Sequence, residues 1–334
     1  MIPLIKTISI LTLGTALTFG LAGNANAAAL VTNGTIQLGV DNFGQLNVSG
    51  GTPSSGTGTS VVGLRYVPTN AEVTAPGCLC EGWGVADATS GITGYANNSI
   101  GSAGLSLLSF TSTADTATSV VDVSGLFKVT HNYAPSAKTA NLYETTVTIE
   151  NISANTVNNL LYRRVMDWDV EPTAFSEYVT IAGTATATNV AFASDDGFAS
   201  SNPLSGPSSI LFTGDAVDSG PTDHGALFDF DFGQLDAGET FQFTTFYGAA
   251  ANEADALAAL GSVGAEVYSF GQARVAGGET TGEPNTFIFA FAGVGGTPVP
   301  PSEPVPEPAS MLGILAFGAL GGKKLLKRRQ QKQA

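Results

Sequence analysis

The sequence predicts an all-β protein, an antiparallel β-sandwich or one large supersandwich, carrying a single short helix. Three observations point there. Glycine and proline supply 57 of the 334 residues, too many for a chain built mainly of helices. Apolar and polar residues alternate with period 2 from Thr35 to Ala292, the signature of strands that bury one face. Turn residues punctuate this region without any strand–helix–strand rhythm, which argues against a parallel sheet. An apolar content of 43% with only 12% charge sustains a packed core and excludes wholesale disorder.

Taken in order, the elements begin with a leader. Lys6 precedes an apolar stretch over residues 8–22, and Ala25-Asn26-Ala27 has the small-x-small form that signal peptidase cleaves. Residues 1–27 are therefore a signal helix, and the small residues before Ala28 argue against an uncleaved anchor. Residues 35–40 and 45–48 flank Asp41-Asn42-Phe43-Gly44 as a hairpin. The Gly/Ser/Thr-rich segment 49–60 reads as a flexible loop. Over 142–150, Tyr143, Thr145, Val147 and Ile149 share one face of a strand. Over 226–232, Phe228, Phe230 and Phe232 point inward while Asp229 and Asp231 point outward. Residues 241–247 and 287–291 repeat the aromatic pattern. One helix follows Asn252 as cap, with Glu253 and Asp255 in its first turn, Gly261 as its end, and Ala254, Leu257 and Ala258 on its apolar side. Nothing splits 61–293, so residues 28–293 form one ectodomain, followed by a Pro-rich linker over 294–305.

Residues 306–334 are the most specific segment. Pro306-Glu307-Pro308 closes the stalk, an apolar run spans 309–320, and Lys323, Lys324, Lys327, Arg328, Arg329 and Lys332 end the chain. Apolar residues followed by cations form a stop-transfer element. The transmembrane helix from Met311 to Leu326 has 16 residues, short of the usual ~20, which suits a transient anchor. This order resembles the PEP-CTERM sorting tail of exported Gram-negative proteins. The resemblance implies recognition by an exosortase, processing near Pro306, Glu307 and Pro308, and a place at the cell surface or in the exopolysaccharide matrix.

Charge narrows the function classes. Between the leader and the terminal cations that begin at Lys323, six cations face all 28 carboxylates, a balance of −22. Such a surface repels phosphate backbones and excludes a nucleic-acid partner, while attracting divalent cations. There is no nucleophile elbow, no H-E-x-x-H, no Walker loop and no G-x-G-x-x-G. His131 and His224 are the only histidines. Asp223-His224 reads as a surface turn with a structural hydrogen bond. Cys78 and Cys80 form a local disulfide or remain two thiols; a Cys2His2 zinc site with the two histidines has no compact spacing to support it.

The run from Arg163 to Glu171 concentrates the charge. As a strand it places Arg163, Asp167, Asp169 and Glu171 on one face and Arg164, Met166 and Trp168 on the other. Asp167, Asp169 and Glu171 are candidate calcium ligands, or the acid and base of a glycosidase. The plainer reading is an Arg–carboxylate network ordering a strand end. Asp195, Asp196, Asp215 and Asp218 form acidic turns open to the same cation reading. The expectation is a non-enzymatic, exported surface or matrix protein. The alternative is a carbohydrate-binding or polysaccharide-active protein gripping sugars through Trp83, Trp168 and tyrosines beside acidic clusters.

Overall fold

A computed structural model describes residues 28–301. The leader with Ala25 and Ala27, and the tail with Pro306, Glu307 and Pro308, lie outside the described residues. The chain opens with short strands β1 (Ala29–Thr32), β2 (Ile36–Val40), β3 (Val48–Ser49), β4 (Val61–Val62), β5 (Leu64–Tyr66) and β6 (Ala71–Glu72). Then come β7 (Gly82–Asp87), β8 (Ile92–Asn97), β9 (Leu105–Ser112), β10 (Ala117–Val123), β11 (Phe127–Pro135) and β12 (Leu142–Asn151). They are followed by β13 (Leu160–Trp168), β14 (Glu177–Ala182), β15 (Val190–Ser194), β16 (Ala216–Thr222), β17 (His224–Asp231) and β18 (Thr240–Ala250). Helix α1 (Glu253–Val263), β19 (Val267–Gln272) and β20 (Thr286–Ala292) complete the order.

The strands form antiparallel sheets, as the period-2 pattern requires. The largest has nine strands in the order β16-β14-β19-β20-β18-β12-β11-β10-β9; a second has five, β15-β17-β13-β7-β8. Side chains of these two sheets meet in one core. Tyr162 of β13 lies 4.9 Å, centroid to centroid, from Phe243 of β18, and Phe228 and Phe230 of β17 lie 5.0 and 4.8 Å from Phe291 of β20. These edge-on ring contacts add to the apolar burial of each strand. Strand β12 buries Tyr143, Thr145, Val147 and Ile149, as its alternation predicts.

Strand β20 is buried on both faces. Phe287, Phe289 and Phe291 face the main core, while Ile288 and Ala290 pack with α1 on the far side of the nine-stranded sheet. Asn252 caps that helix by accepting the Asp255 N–H. The expected end at Gly261 is corrected to Gly264, whose φ of 68° is the left-handed conformation that glycine adopts freely. The buried face is also rotated, to Ala256, Ala259, Leu260 and Gly261, with Ala254 exposed. Alanines occur on every side of this helix, so composition alone does not fix its orientation. Gly261 is covered by the backbone at Pro300 and Pro301, which a Cβ there would strike. The chain therefore stays packed beyond Gly293: Val294 is buried, and Glu266 accepts N–H groups from Gly293, Val294 and Gly296.

The hairpin at 41–44 forms, closed by Gly44 N–H to Asp41 O and Asp41 N–H to Gln45 O. Its carbonyls enter the core, accepting from Trp83 Nε1 at Phe43 O and from Tyr133 OH at Gly44 O. Among the described residues no helix is long and apolar enough to cross a membrane.

Candidate metal centre

Strand β13 aims its side chains alternately, and the charged run divides accordingly. On the core side, Arg164 pairs with Glu81 at 2.7 Å, both fully buried. Around them Tyr247 OH donates to Glu81, Leu46 N–H donates to Glu81, and Arg164 donates to Tyr133 OH and Gly44 O. His131 Nε2 meets Tyr162 OH at 3.0 Å in the same network. Burial, assisted by the Arg164 charge, holds the His131 pKa well below the ordinary value.

The outer side of β13 carries Arg163, clamped bidentately on Asp229 at 2.6 and 2.8 Å. Next on that side is Asp167, and one alternation beyond the strand end comes Asp169. Pairing of β13 with β17 sets Trp168 opposite His224, so one further step brings Asp223 across from Asp169. Carboxylate oxygens of Asp167, Asp169 and Asp223 lie within 4.8 Å of one another.

Loops cover this group. Gly197 packs its backbone on Asp167, where a Cβ would lie 2.9 Å from Oδ1, and Gly77 sits beside Asp169. Cys78 and Cys80 are joined as a disulfide, their Cα atoms 5.1 Å apart, in the loop that contains Gly77. Asp167 and Asp169 are 1% and 0% exposed, whereas Asp223 faces solvent. Asp167 Oδ1 and both oxygens of Asp169 have no hydrogen-bond partner. Glu177 is buried nearby and accepts the N–H groups of Ser176 and His224.

Burial is the main cause of the electrostatics here, and like charge adds to it. Asp167 is pushed up to about 8 by desolvation, then Asp223 and Asp196. Asp169 is pushed up to about 10 by desolvation, then Asp167 and Glu177. Glu177 rises to about 9 mainly through burial. Burial and mutual repulsion thus both favour the neutral form of these carboxyls. The arrangement can bind a hard cation through oxygen, or share protons among its carboxyls.

Glu171 does not join them, which corrects the sequence expectation. Strand β13 ends at Trp168, so alternation no longer governs residue 171. The Glu171 carboxylate instead accepts from Ser54 Oγ, Thr57 Oγ1, Thr57 N–H, Gly56 N–H and Glu72 N–H. Burial would raise its pKa, but the Ser54 and Thr57 hydrogen bonds more than reverse this and lower it. The segment 49–60, expected to be flexible, is pinned by the same contacts.

Other acidic turns are spent on loop backbone. Asp196 holds Ser208 and Ser209, Asp195 holds Leu211, Phe212 and the ring of His224, and Asp215 holds Thr184. The Asp218 carboxylate accepts from Thr180 Oγ1, which in turn accepts the Asp218 N–H. His224 is buried rather than on a surface turn, and His131 lies in the core, so the Cys2His2 set is not assembled. Trp83 and Trp168 are also core residues, their indole N–H groups satisfied by Phe43 O and Ser269 Oγ. Neither ring is available to a sugar. Sequence reading missed Asp223, Glu177 and Glu81 as partners of the charged run, because strand pairing far along the chain brings them together.

No family model matches the chain, and no curated protein matches it. Among solved structures, the Slr1438 protein from Synechocystis sp. PCC 6803 aligns over 87% of this chain and 95% of its own, at 7% identity and a TM-score of 0.26. That likeness carries no argument about fold or function.

Proposed function

We propose that this is an exported protein of the bacterial cell surface or exopolysaccharide matrix, built on a large β-sandwich, with a structural or binding role rather than a catalytic one. The single observation that carries this reading is the order at the C-terminus: Pro306-Glu307-Pro308, a short apolar run, then six cations. It is supported by the −22 balance of the region between the leader and the terminal cations, which suits a hydrated polyanionic or cation-bridged surrounding. The fate of the charged run supports the non-catalytic part. Asp167 and Asp169 lie beneath loops at 1% and 0% exposure, so a polysaccharide cannot approach both as acid and base.

An exosortase, with signal peptidase, is the processing partner in this reading. Deleting the exosortase should leave the protein in the membrane fraction with its tail attached. Unchanged release to the surface would contradict the sorting assignment.

One observation favours a carbohydrate-binding role within this frame. A hollow of about 310 Å³ is lined by half-buried Phe43 with Asp41, Gln45, Asn97 and Asn98. Polar amides around an aromatic edge suit sugar hydroxyls. Glycan binding that Phe43→Ala abolishes would establish this role, and turnover of a polysaccharide by the protein would replace it with the enzymatic one.

A further inference from the structure

We propose that Asp167, Asp169 and Asp223 bind one calcium ion. Three facts carry the proposal. The donors are all carboxylate oxygens, the set preferred by hard cations over zinc or copper. Their mutual spacing, within 4.8 Å, is that of ligands on one calcium ion, since bonds of 2.3–2.6 Å allow separations up to about 5 Å.

The third fact is independent of the clustering. Asp169 is fully buried, yet neither of its oxygens has a partner, and Asp167 Oδ1 is likewise buried and unpartnered. Buried carboxylate oxygens are normally satisfied. Elsewhere in this chain they are: Glu171, Asp195, Asp196 and Glu81 all accept from named donors. Among the described residues no arginine, lysine or histidine forms an ion pair with Asp167, Asp169 or Asp223. Exposed Asp223 gives an ion its way in and leaves coordination positions to water. Glu171, the third ligand expected from alternation, is replaced by a residue supplied across the strand pair.

The probe is terbium, a calcium mimic whose luminescence is sensitised by a nearby indole. Trp168 lies in sequence between two of the ligands. The full chain, stripped with chelator, should show luminescence saturating at one terbium per chain. Calcium should displace it, and sodium chloride at matched ionic strength should not. Asp223→Asn, on the exposed rim and remote from the core, should weaken binding at least tenfold. Asp231→Asn, an exposed carboxylate at the far end of the strand β17 that follows Asp223, should leave it unchanged. Luminescence that never saturates, or affinity that is equal in wild type and Asp223→Asn, would overturn the site.

Discussion

Glu81 and Arg164 illustrate how a single residue can hold two sheets together. Each is fully buried, and each is committed to the other and to a shell of tyrosines. Removing one partner strands a charge in a low-dielectric core. Glu81→Ala should therefore cost about 3–5 kcal/mol in chemical denaturation. Replacing both residues by apolar ones of similar volume should cost much less than the sum of the two single changes. Equal, additive losses would mean the pair is not coupled. His131, in the same network, carries a pH signature. Its folded pKa is depressed below 6.5 by burial. Above that value both states are neutral, and stability is full. Below it the unfolded chain takes up a proton that the fold refuses, so stability falls as pH drops from 6.5 toward the depressed value. Glu72 acts with the opposite sign: raised to about 7, chiefly by burial, it loses stability as pH climbs from 4.5 to 7. Comparison of His131→Gln with wild type isolates the first effect. The variant should show a flatter loss of Tm between pH 6.5 and 5, and parallel curves would contradict the assignment.

At the scale of elements, close approach between strands decides what is tolerated. A Cβ on Gly271 of β19 would lie 2.6 Å from the Trp168 ring, whereas one on Gly206 would meet open space. Gly271→Ala should destabilise by about 1–3 kcal/mol through overpacking. Gly206→Ala should stay within about 0.5 kcal/mol of wild type. A matched thermal melt of the two variants checks the contrast. Period-2 alternation is a local property, so Tyr143, Val147, Ile149, Phe228 and Phe230 were readable as core residues from their own segments. Alternation does not say where a strand stops. Asp167 and Asp169 follow it, but the strand ends at Trp168, and Glu171 leaves the face it was expected to share. Asp223 reaches the cluster only through the pairing of β13 with β17, more than fifty residues apart in the chain, and no spacing rule reports such a pairing. Composition misled in one place: Gly, Ser and Thr made residues 49–60 look mobile, while their hydroxyl and N–H groups hold Glu171.

For the whole molecule, six of the 13 cations lie in a tail that the sorting reading removes, and six remain in the acidic region. The mature protein would then keep the −22 of the middle region at the surface, or −21 if cleavage precedes Glu307. Net charge of that size destabilises a compact state through self-repulsion and makes bound cations stabilising by mass action. Export, sorting and the calcium site are thus linked in consequence but rest on separate observations. The account depends most on processing at both ends, and mass spectrometry of the protein recovered from the cell surface tests it directly. We predict a mature N-terminus at Ala28 and a C-terminus near Pro306-Glu307-Pro308. Peptides from Lys323 to Lys332 still continuous with the ectodomain in that fraction would contradict it.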